Sequence, residues 1–223
     1  MATLATRDLK IGRIIDKTLG VLERNVVPVL IFVVVLSALT APISYFAVGS
    51  TAVLRVMGGE LLKIAAGVVC SYFLLVPMLR RAGFPPRADD EAFLPFIGLS
   101  IFSTLGVMLG MLAIILPGLF VMARWSIAQP LLVVRGTGMM ASLSESWERT
   151  KGNEFQIIVA VLALAVLPVA LIIGASVFFE QADPVRIVAT QVVGSAMSAV
   201  FLAMGVALYA LIAGAEEAAE TAG

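Results

Sequence analysis

The sequence predicts an all-α integral membrane bundle of about six transmembrane helices, with amphipathic helices at the cytoplasmic interface. Hydrophobic residues make up 61% of the 223-residue chain, and its mean hydropathy is +1.06. Charged residues make up 13%, about half of the roughly 25% found in soluble domains. The charges also cluster between apolar runs that are long enough to span a bilayer. A water-soluble domain of this size would need far more charge on its surface.

The composition excludes several classes of function. The 15 basic and 15 acidic residues cancel, so the bulk positive charge of a nucleic-acid-binding protein is missing. The chain has no histidine, which removes histidine bases, histidine metal ligands and Ser-His-Asp triads. Cys70 is the single cysteine and cannot form an intrachain disulfide. We therefore predict no enzymatic activity, no cofactor, no metal site and no nucleic-acid partner.

Residues 8–24 predict an amphipathic helix that lies along the cytoplasmic interface. One face is apolar and carries Ile11, Ile14, Ile15, Thr18 and Leu22. The other face is polar and carries Arg13, Asp16, Lys17, Gly20 and Arg24. The helix either simply orients the first span or uses Arg13, Lys17 and Arg24 to contact anionic lipid headgroups or a partner protein.

Six apolar runs predict the transmembrane spans. The predicted spans are residues 26–48, 61–79, 96–116, 118–135, 155–178 and 185–213. The apolar stretch 93–134 would form a helix roughly 63 Å long, too long for one crossing of a hydrocarbon core of about 30 Å. We place the break at Pro117–Gly118, where irregular backbone would need hydrogen-bond partners inside the bundle.

A second, weaker amphipathic helix is predicted over residues 139–151. Glu145 and Arg149 form an i,i+4 pair there, and Gly152–Asn153 supplies a stop. An amphipathic helix, an asparagine and a long apolar span thus follow one another twice, which hints at a parallel internal repeat. Residues 1–214 are predicted to form one transmembrane domain, and residues 215–223 a frayed acidic tail.

The distribution of basic residues predicts the orientation. Six spans place both termini on one side, and that side holds eleven Lys and Arg residues against three on the other. The eleven are Arg7, Lys10, Arg13, Lys17, Arg24, Arg80, Arg81, Arg87, Arg135, Arg149 and Lys151. By the positive-inside rule, both termini are cytoplasmic.

Arg124 is the one charged residue well inside a predicted span, and such residues are functional candidates. It is predicted to lie about 9 Å below the outer end of the fourth span. One interpretation is a structural anchor that reaches the outer interface beside Trp125, with pairing partners among Glu60, Glu180 and Asp183. The other is a contact to a substrate or a lipid phosphate.

Polar and small residues inside the spans predict how the helices meet. Gln129, Gln156 and Gln191 lie in three different spans and are expected to form interhelical hydrogen bonds, while Gln129 also belongs to the polar surroundings of Arg124. A stripe of small residues follows the last span, and Gly106 and Gly110 form a GxxxG motif in the third. The stripe consists of Ser195, Ala199, Ala203 and Ala207. Such seams join helices within one chain, or they join the chain to a second copy or a membrane-protein partner.

The middle of the chain carries a family resemblance. It is carried by Leu116-Pro117-Gly118-Leu119-Phe120, Arg124-Trp125, Pro130–Val134, Ala141-Ser142-Leu143, Ser146-Trp147 and Lys151-Gly152-Asn153. This run resembles the bacterial YciC-like group, also described as the membrane domain attached to some glycerophosphodiester phosphodiesterases. The resemblance implies a mostly uncharacterised inner-membrane protein with about six spans. In fused relatives the phosphodiesterase activity belongs to a separate soluble barrel, and this chain lacks that barrel's metal-binding histidines. Arg135 departs from the pattern, because many relatives carry an acidic residue there.

Two functions fit these observations. The first is a non-enzymatic scaffold or accessory factor for components of the bacterial envelope. The alternative is a carrier or flippase for a lipid or small amphiphile, with Arg124 as the headgroup contact. A water-accessible cleft that reaches Arg124 would favour the carrier, and a closed bundle with a paired Arg124 would favour the scaffold.

Overall fold

Helices run through most of the chain. The structure is a computed structural model that describes residues 9–86, 92–113 and 115–220, and no strand occurs in these ranges. The helices are α1 Ile11–Arg24, α2 Val26–Ala47, α3 Val53–Arg81, α4 Phe93–Ala113, α5 Ile115–Arg124, α6 Ala128–Arg135, α7 Met139–Arg149, α8 Glu154–Phe178 and α9 Pro184–Glu220. Within these ranges, six segments are long and apolar enough to span a membrane: α2, α3, α4, α5 with α6, α8 and α9. The predicted class, an all-helical multi-pass membrane protein, is confirmed.

Helix α9 lies at the centre of the bundle because its two faces line two hydrophobic clusters. One face packs Ala199, Ala203 and Ala207 against α2, α3 and α6. The other packs Met204 and Leu208 against α1, α6 and α8. The predicted small-residue stripe therefore forms seams within the chain, and its members are 4% exposed or less.

The bundle is packed most tightly at the end that carries α1 and α7, here called the basal end. These two helices share an end because the Leu9 backbone N–H, just before α1, donates to Asn153 Oδ1 after α7 at 2.8 Å. Buried residues of α3, α4 and α8 concentrate at their basal ends, over 74–79, 96–100 and 157–161. Their opposite halves are largely exposed, as expected of helix surfaces that face acyl chains.

Helix α1 follows the predicted boundaries closely, beginning at Ile11 instead of residue 8, which lies outside the described ranges. Its apolar face contacts protein: Ile14, Thr18 and Val21 are buried against α8 and α9. The apolar side of this helix therefore packs against the bundle. Its polar face remains exposed.

Two predicted boundaries are wrong because short-range contacts extend the helices. Helix α3 begins at Val53 instead of residue 61, and Gly58–Glu60 lie inside it. Gly59 lets α2 approach, since a Cβ there would lie 3.2 Å from Ile43, and Glu60 pairs with Lys63 at 2.6 Å. Helix α9 continues through Glu220, so residues 215–220 of the predicted frayed tail are helical; their alanines favour helix. Residues 221–223 lie outside the described ranges.

The turn between the third and fourth spans comes earlier than predicted. Helix α4 ends at Ala113 and α5 begins at Ile115, so Pro117 lies within the first turn of α5, where a missing backbone N–H costs no hydrogen bond. Two glycines bring the antiparallel helices together. A Cβ added at Gly110 would lie 2.9 Å from the Gly118 Cα, closer than real Cβ contacts allow.

The hinted repeat has a structural counterpart at two asparagines. Asn25 and Asn153 each connect a basal helix to a span, with φ/ψ of −121°/25° and −115°/12°. Both are buried, and both main-chain carbonyls accept the first hydrogen bond of the following helix, from Val29 and Ile157. Gly152 precedes the second junction with a φ of +84°, a conformation that favours glycine and ends α7 as predicted.

Substitution of Gly118 is expected to loosen the α4–α5 contact. In Gly118→Ala, the new Cβ would meet the Met111 side chain at 2.5 Å and the Met111 main-chain nitrogen at 2.7 Å. Overpacking of this kind costs about 1–3 kcal/mol, so the Tm of the detergent-purified chain should fall. Gly67→Ala is the matched control, because nothing lies within 4 Å of a Cβ at Gly67. Equal Tm values for the two variants would contradict the close packing.

Candidate functional site

The fourth span is broken in its middle, where residues 125–127 separate α5 from α6. Pro130 explains the break, because it lacks the N–H that would bond the Ser126 carbonyl in a continuous helix. The Ala128 N–H bonds the Trp125 carbonyl instead of continuing the α-helical pattern. Gly205 of α9 passes directly over the break, since a Cβ there would lie 2.9 Å from the Ser126 carbonyl oxygen.

The carbonyl of Arg124, at the end of α5, is satisfied by side chains of α7. Ser146 Oγ donates to it at 2.7 Å. Thr150 Oγ1 shares its single proton between this carbonyl, at 3.2 Å, and the Ser146 carbonyl, at 2.8 Å. Both hydroxyls belong to buried residues. An unpaired carbonyl in an apolar interior costs several kcal/mol, so α7 is the element that makes the break tolerable.

The Arg124 side chain is buried and paired. It is 5% exposed, and its Nη1 donates to the Trp147 carbonyl at 2.8 Å and lies 3.1 Å from Glu154 Oε1. The guanidinium carbon sits 4.8 Å from the centre of the Trp147 ring and 5.5 Å from that of Phe120, within cation–π range. We call Arg124, Ser146, Trp147, Thr150 and Glu154 the Arg124 cluster.

The Arg124 cluster corrects the predicted surroundings of this residue. Arg124 pairs with Glu154, the first residue of α8 at the basal end, and not with Glu60, Glu180 or Asp183. The predicted partners were wrong because the span is broken: α5 ends at Arg124, and the Arg124 side chain contacts α7 and α8.

Trp125 does not extend to the outer interface as predicted. It packs inside against α4, with its ring centroid 6.0 Å from that of Phe102, and a Cβ added at Gly106 would overlap the indole. The GxxxG glycine thus provides the space for the indole. Trp125 and Arg124 are neighbours in sequence but face different helices.

Two of the three glutamines form the predicted interhelical hydrogen bonds. Gln129 donates to Ser100 Oγ at 3.2 Å, and Gln191 donates to Ser44 Oγ at 3.0 Å. Gln129 therefore connects α6 to α4 and stands apart from the Arg124 cluster. Gln156 Oε1 is buried without a partner among the described residues, as are Arg124 Nε and Ser126 Oγ.

Arg13, Lys17 and Arg24, the predicted interfacial cations, line a cleft of about 430 Å³ at the basal end. We call it the basic cleft. All the residues of the polar face predicted for the first helix line it, and Asn25, the end of α3 and Leu211 of α9 close it. Its lining residues are Arg13, Asp16, Lys17, Gly20, Val21, Arg24, Asn25, Met78, Arg81, Ala82 and Leu211.

Among the charged residues that line the cleft, Arg81 is the one for which the sequence predicted no role in a site. Its Nη1 donates to the Arg24 carbonyl at 3.0 Å and to Asn25 Oδ1 at 3.2 Å. A cation at the carboxyl end of α1 also suits the helix dipole. The available signal was the Arg80–Arg81 pair at the end of a span, but only the fold brings Arg81 next to α1.

Ser146 and Thr150 were also missed. Together with Ser142 they form a row of hydroxyls at four-residue spacing, and all three are fully buried. The row was a readable signal, because buried hydroxyls at helical spacing in a polar helix indicate hydrogen-bond donors for a neighbouring element. The predicted i,i+4 pair on the same helix is confirmed: Glu145 pairs with Arg149 at 2.8 Å and also with Arg135.

Neither the Arg124 cluster nor the basic cleft, both made of described residues, has the ligands of a metal centre. Within the described ranges, no three His, Cys, Asp or Glu side chains come together to hold an ion. Comparison with known protein families gave no match, and comparisons with curated proteins and with solved structures gave none either. The resemblance to the YciC-like group therefore stays a prediction.

Removal of the Glu154 charge is expected to destabilise the protein. Glu154→Gln would leave the Arg124 guanidinium buried without its counter-ion, at a cost of about 3 kcal/mol. Glu148→Gln on exposed α7 surface is the control and should leave the Tm unchanged. In Arg124→Gln/Glu154→Gln the loss should be smaller than the sum of the single losses. If the free-energy loss of the double variant, derived from Tm, equals the sum of the two single losses, the ion pair contributes nothing to stability.

Proposed function

We propose that this chain is a non-enzymatic multi-pass protein of the bacterial inner membrane that acts as a scaffold or accessory factor for envelope components. In this proposal the membrane domain is a stable platform, and the helices at its cytoplasmic face hold the partners. The carrier is the alternative, with Arg124 as its headgroup contact.

The closed Arg124 cluster is the observation that carries the proposal. A carrier that uses Arg124 for a headgroup must let water and the headgroup reach its guanidinium. The guanidinium is instead 5% exposed, bonded to a main-chain carbonyl and a carboxylate, and flanked by two aromatic rings. These contacts suit a residue that fixes α5, α7 and α8 relative to one another.

The basal helices offer surface for a partner. Leu19 of α1 is 46% exposed and Met140 of α7 is 56% exposed. Both side chains lie on helices that do not cross the membrane, so their exposed apolar surface is not explained by the six spans. Exposed apolar groups of this kind are typical of protein or membrane contacts.

Site-specific photo-crosslinking tests the scaffold. A photoreactive residue at Leu19 or Met140 should give a discrete protein adduct in living cells, because a scaffold holds its partner at this face. Val34, 65% exposed in the middle of α2, is the control and should give no protein adduct, because its surroundings are acyl chains.

Two results would contradict the scaffold. One is the absence of a protein adduct at both basal positions. The other is transfer of a fluorescent phosphatidylglycerol across reconstituted vesicles that disappears in Arg124→Gln while Gln156→Ala retains it. That outcome would establish the carrier with Arg124 as its headgroup contact.

Cysteine labelling tests the orientation. In a Cys70→Ser background, a membrane-impermeant maleimide should label Ala182→Cys, before α9, in intact spheroplasts. Lys151→Cys, before α8, should react only after the membrane is opened, because the positive-inside rule places it in the cytoplasm. Both residues are exposed, so accessibility on their own side is equal. Labelling of Lys151→Cys but not of Ala182→Cys in intact spheroplasts would show that the orientation is the reverse of the proposed one.

A further inference from the structure

The basic cleft holds more positive charge than the protein itself balances. Four cationic side chains line it, Arg13, Lys17, Arg24 and Arg81, against the single carboxylate of Asp16. Arg13, Lys17 and Arg24 make no hydrogen bond or ion pair through their side chains with any other described residue. Cations gathered without counter-ions repel one another. The arrangement therefore favours an anion in the cleft.

The spacing along α1 directs these charges to one place. Arg13, Lys17 and Arg24 lie four and seven residues apart, which puts them on one side of the helix. Gly20 occupies the position between them, and nothing lies within 4 Å of a Cβ built there. The glycine leaves an opening in the row of long side chains. Arg81 faces this row from α3 and is held by the carboxyl end of α1.

The floor of the cleft is apolar. Val21 and Met78 are buried beneath the cations, and Leu211 of α9 contributes to the same wall. The cleft also lies where α2 begins at Val26 and α3 ends at Arg81, the level at which two spans leave the apolar layer. A ligand that combines an anionic group with an apolar part fits this combination of cationic rim and apolar floor.

We propose that the basic cleft binds the phosphate group of a membrane amphiphile. Guanidinium groups match phosphate oxygens with paired N–H donors, and three of the four cations are arginines. The volume of about 430 Å³ lies in the range of ligand pockets, about 300–1,000 Å³, so a whole headgroup fits. The proposal rests on the proposed function in one respect, the orientation that places this cleft at the cytoplasmic face.

Native mass spectrometry of the full chain, released from an uncharged detergent, tests the proposal. Three probes are titrated: dioctanoyl phosphatidic acid, dioctanoylglycerol, which lacks the phosphate, and inorganic phosphate. We expect adducts with phosphatidic acid, none with dioctanoylglycerol, and weak or no adducts with inorganic phosphate. The comparison of phosphatidic acid with dioctanoylglycerol tests whether binding needs the phosphate. The comparison of phosphatidic acid with inorganic phosphate distinguishes a lipid from a free anion.

Charge substitutions locate the binding. Each basic residue near an anionic group contributes about 1 kcal/mol, or about 5-fold in affinity, so Arg13→Gln/Lys17→Gln should weaken the phosphatidic acid adduct by about 25-fold. Lys151→Gln removes one positive charge outside the cleft and should change the affinity less than about 2-fold. Arg81→Gln should weaken binding, whereas its neighbour Arg80→Gln, which does not line the cleft, should not. If the double variant fails to fold, Lys17→Gln alone gives the same test, because its side chain is exposed.

Three results would overturn the proposal. Unchanged affinity in Arg13→Gln/Lys17→Gln and Arg81→Gln would show that the cleft is not the site. Equal losses in Lys151→Gln and Arg80→Gln would show a diffuse charge effect. Binding of inorganic phosphate as tightly as phosphatidic acid would make the ligand a free anion. Each result leaves the scaffold standing, because the crosslinking experiment depends on a protein partner and not on this cleft.

Discussion

The architecture depends on how the broken fourth span satisfies its backbone. Pro130 interrupts the helix, and the Arg124 carbonyl is left to accept hydrogen bonds from Ser146 and Thr150 of α7. Non-helical backbone within an apolar layer survives only where protein or water supplies partners. Because α7 supplies them, it must pack against the break, and its connection to α8 brings Glu154 to the Arg124 guanidinium. One residue thus joins three helices through both its main chain and its side chain.

Helix α9 provides the second constraint. Its small residues allow α2 and α3 to pack on one face, while α1 and α8 pack on the other. Gly205 lets it approach the break in the fourth span. These contacts concentrate at the basal end, where α1 and α7 close the bundle. The basic cleft lies at that closed end because α1 packs its apolar face under α8 and α9 and leaves its cationic face free.

The fold was largely predictable, and the site was predictable only in part. The apolar runs predicted the six spans and the periodicity of residues 8–24 predicted α1, since both follow from local composition. The face assigned to Arg13, Lys17 and Arg24 lines the basic cleft. The start of α3 and the position of the turn before α5 were wrong, because glycines and prolines end helices in one context and lie within them in another. Glu154 and Arg81 were missed because they are distant in sequence from their partners.

The sequence by itself determined that this protein is an all-helical membrane bundle with a cationic amphipathic helix at one end. Hydropathy and helical periodicity are properties of neighbouring residues and need no fold to be read. The tertiary structure decided which polar groups meet. It buried Arg124 against Glu154, turned the small-residue stripe into seams inside the chain, and added Arg81 to the three cations of α1. Pairings between distant segments are set by helix packing and by the need to satisfy buried polar groups, and no local pattern contains that information.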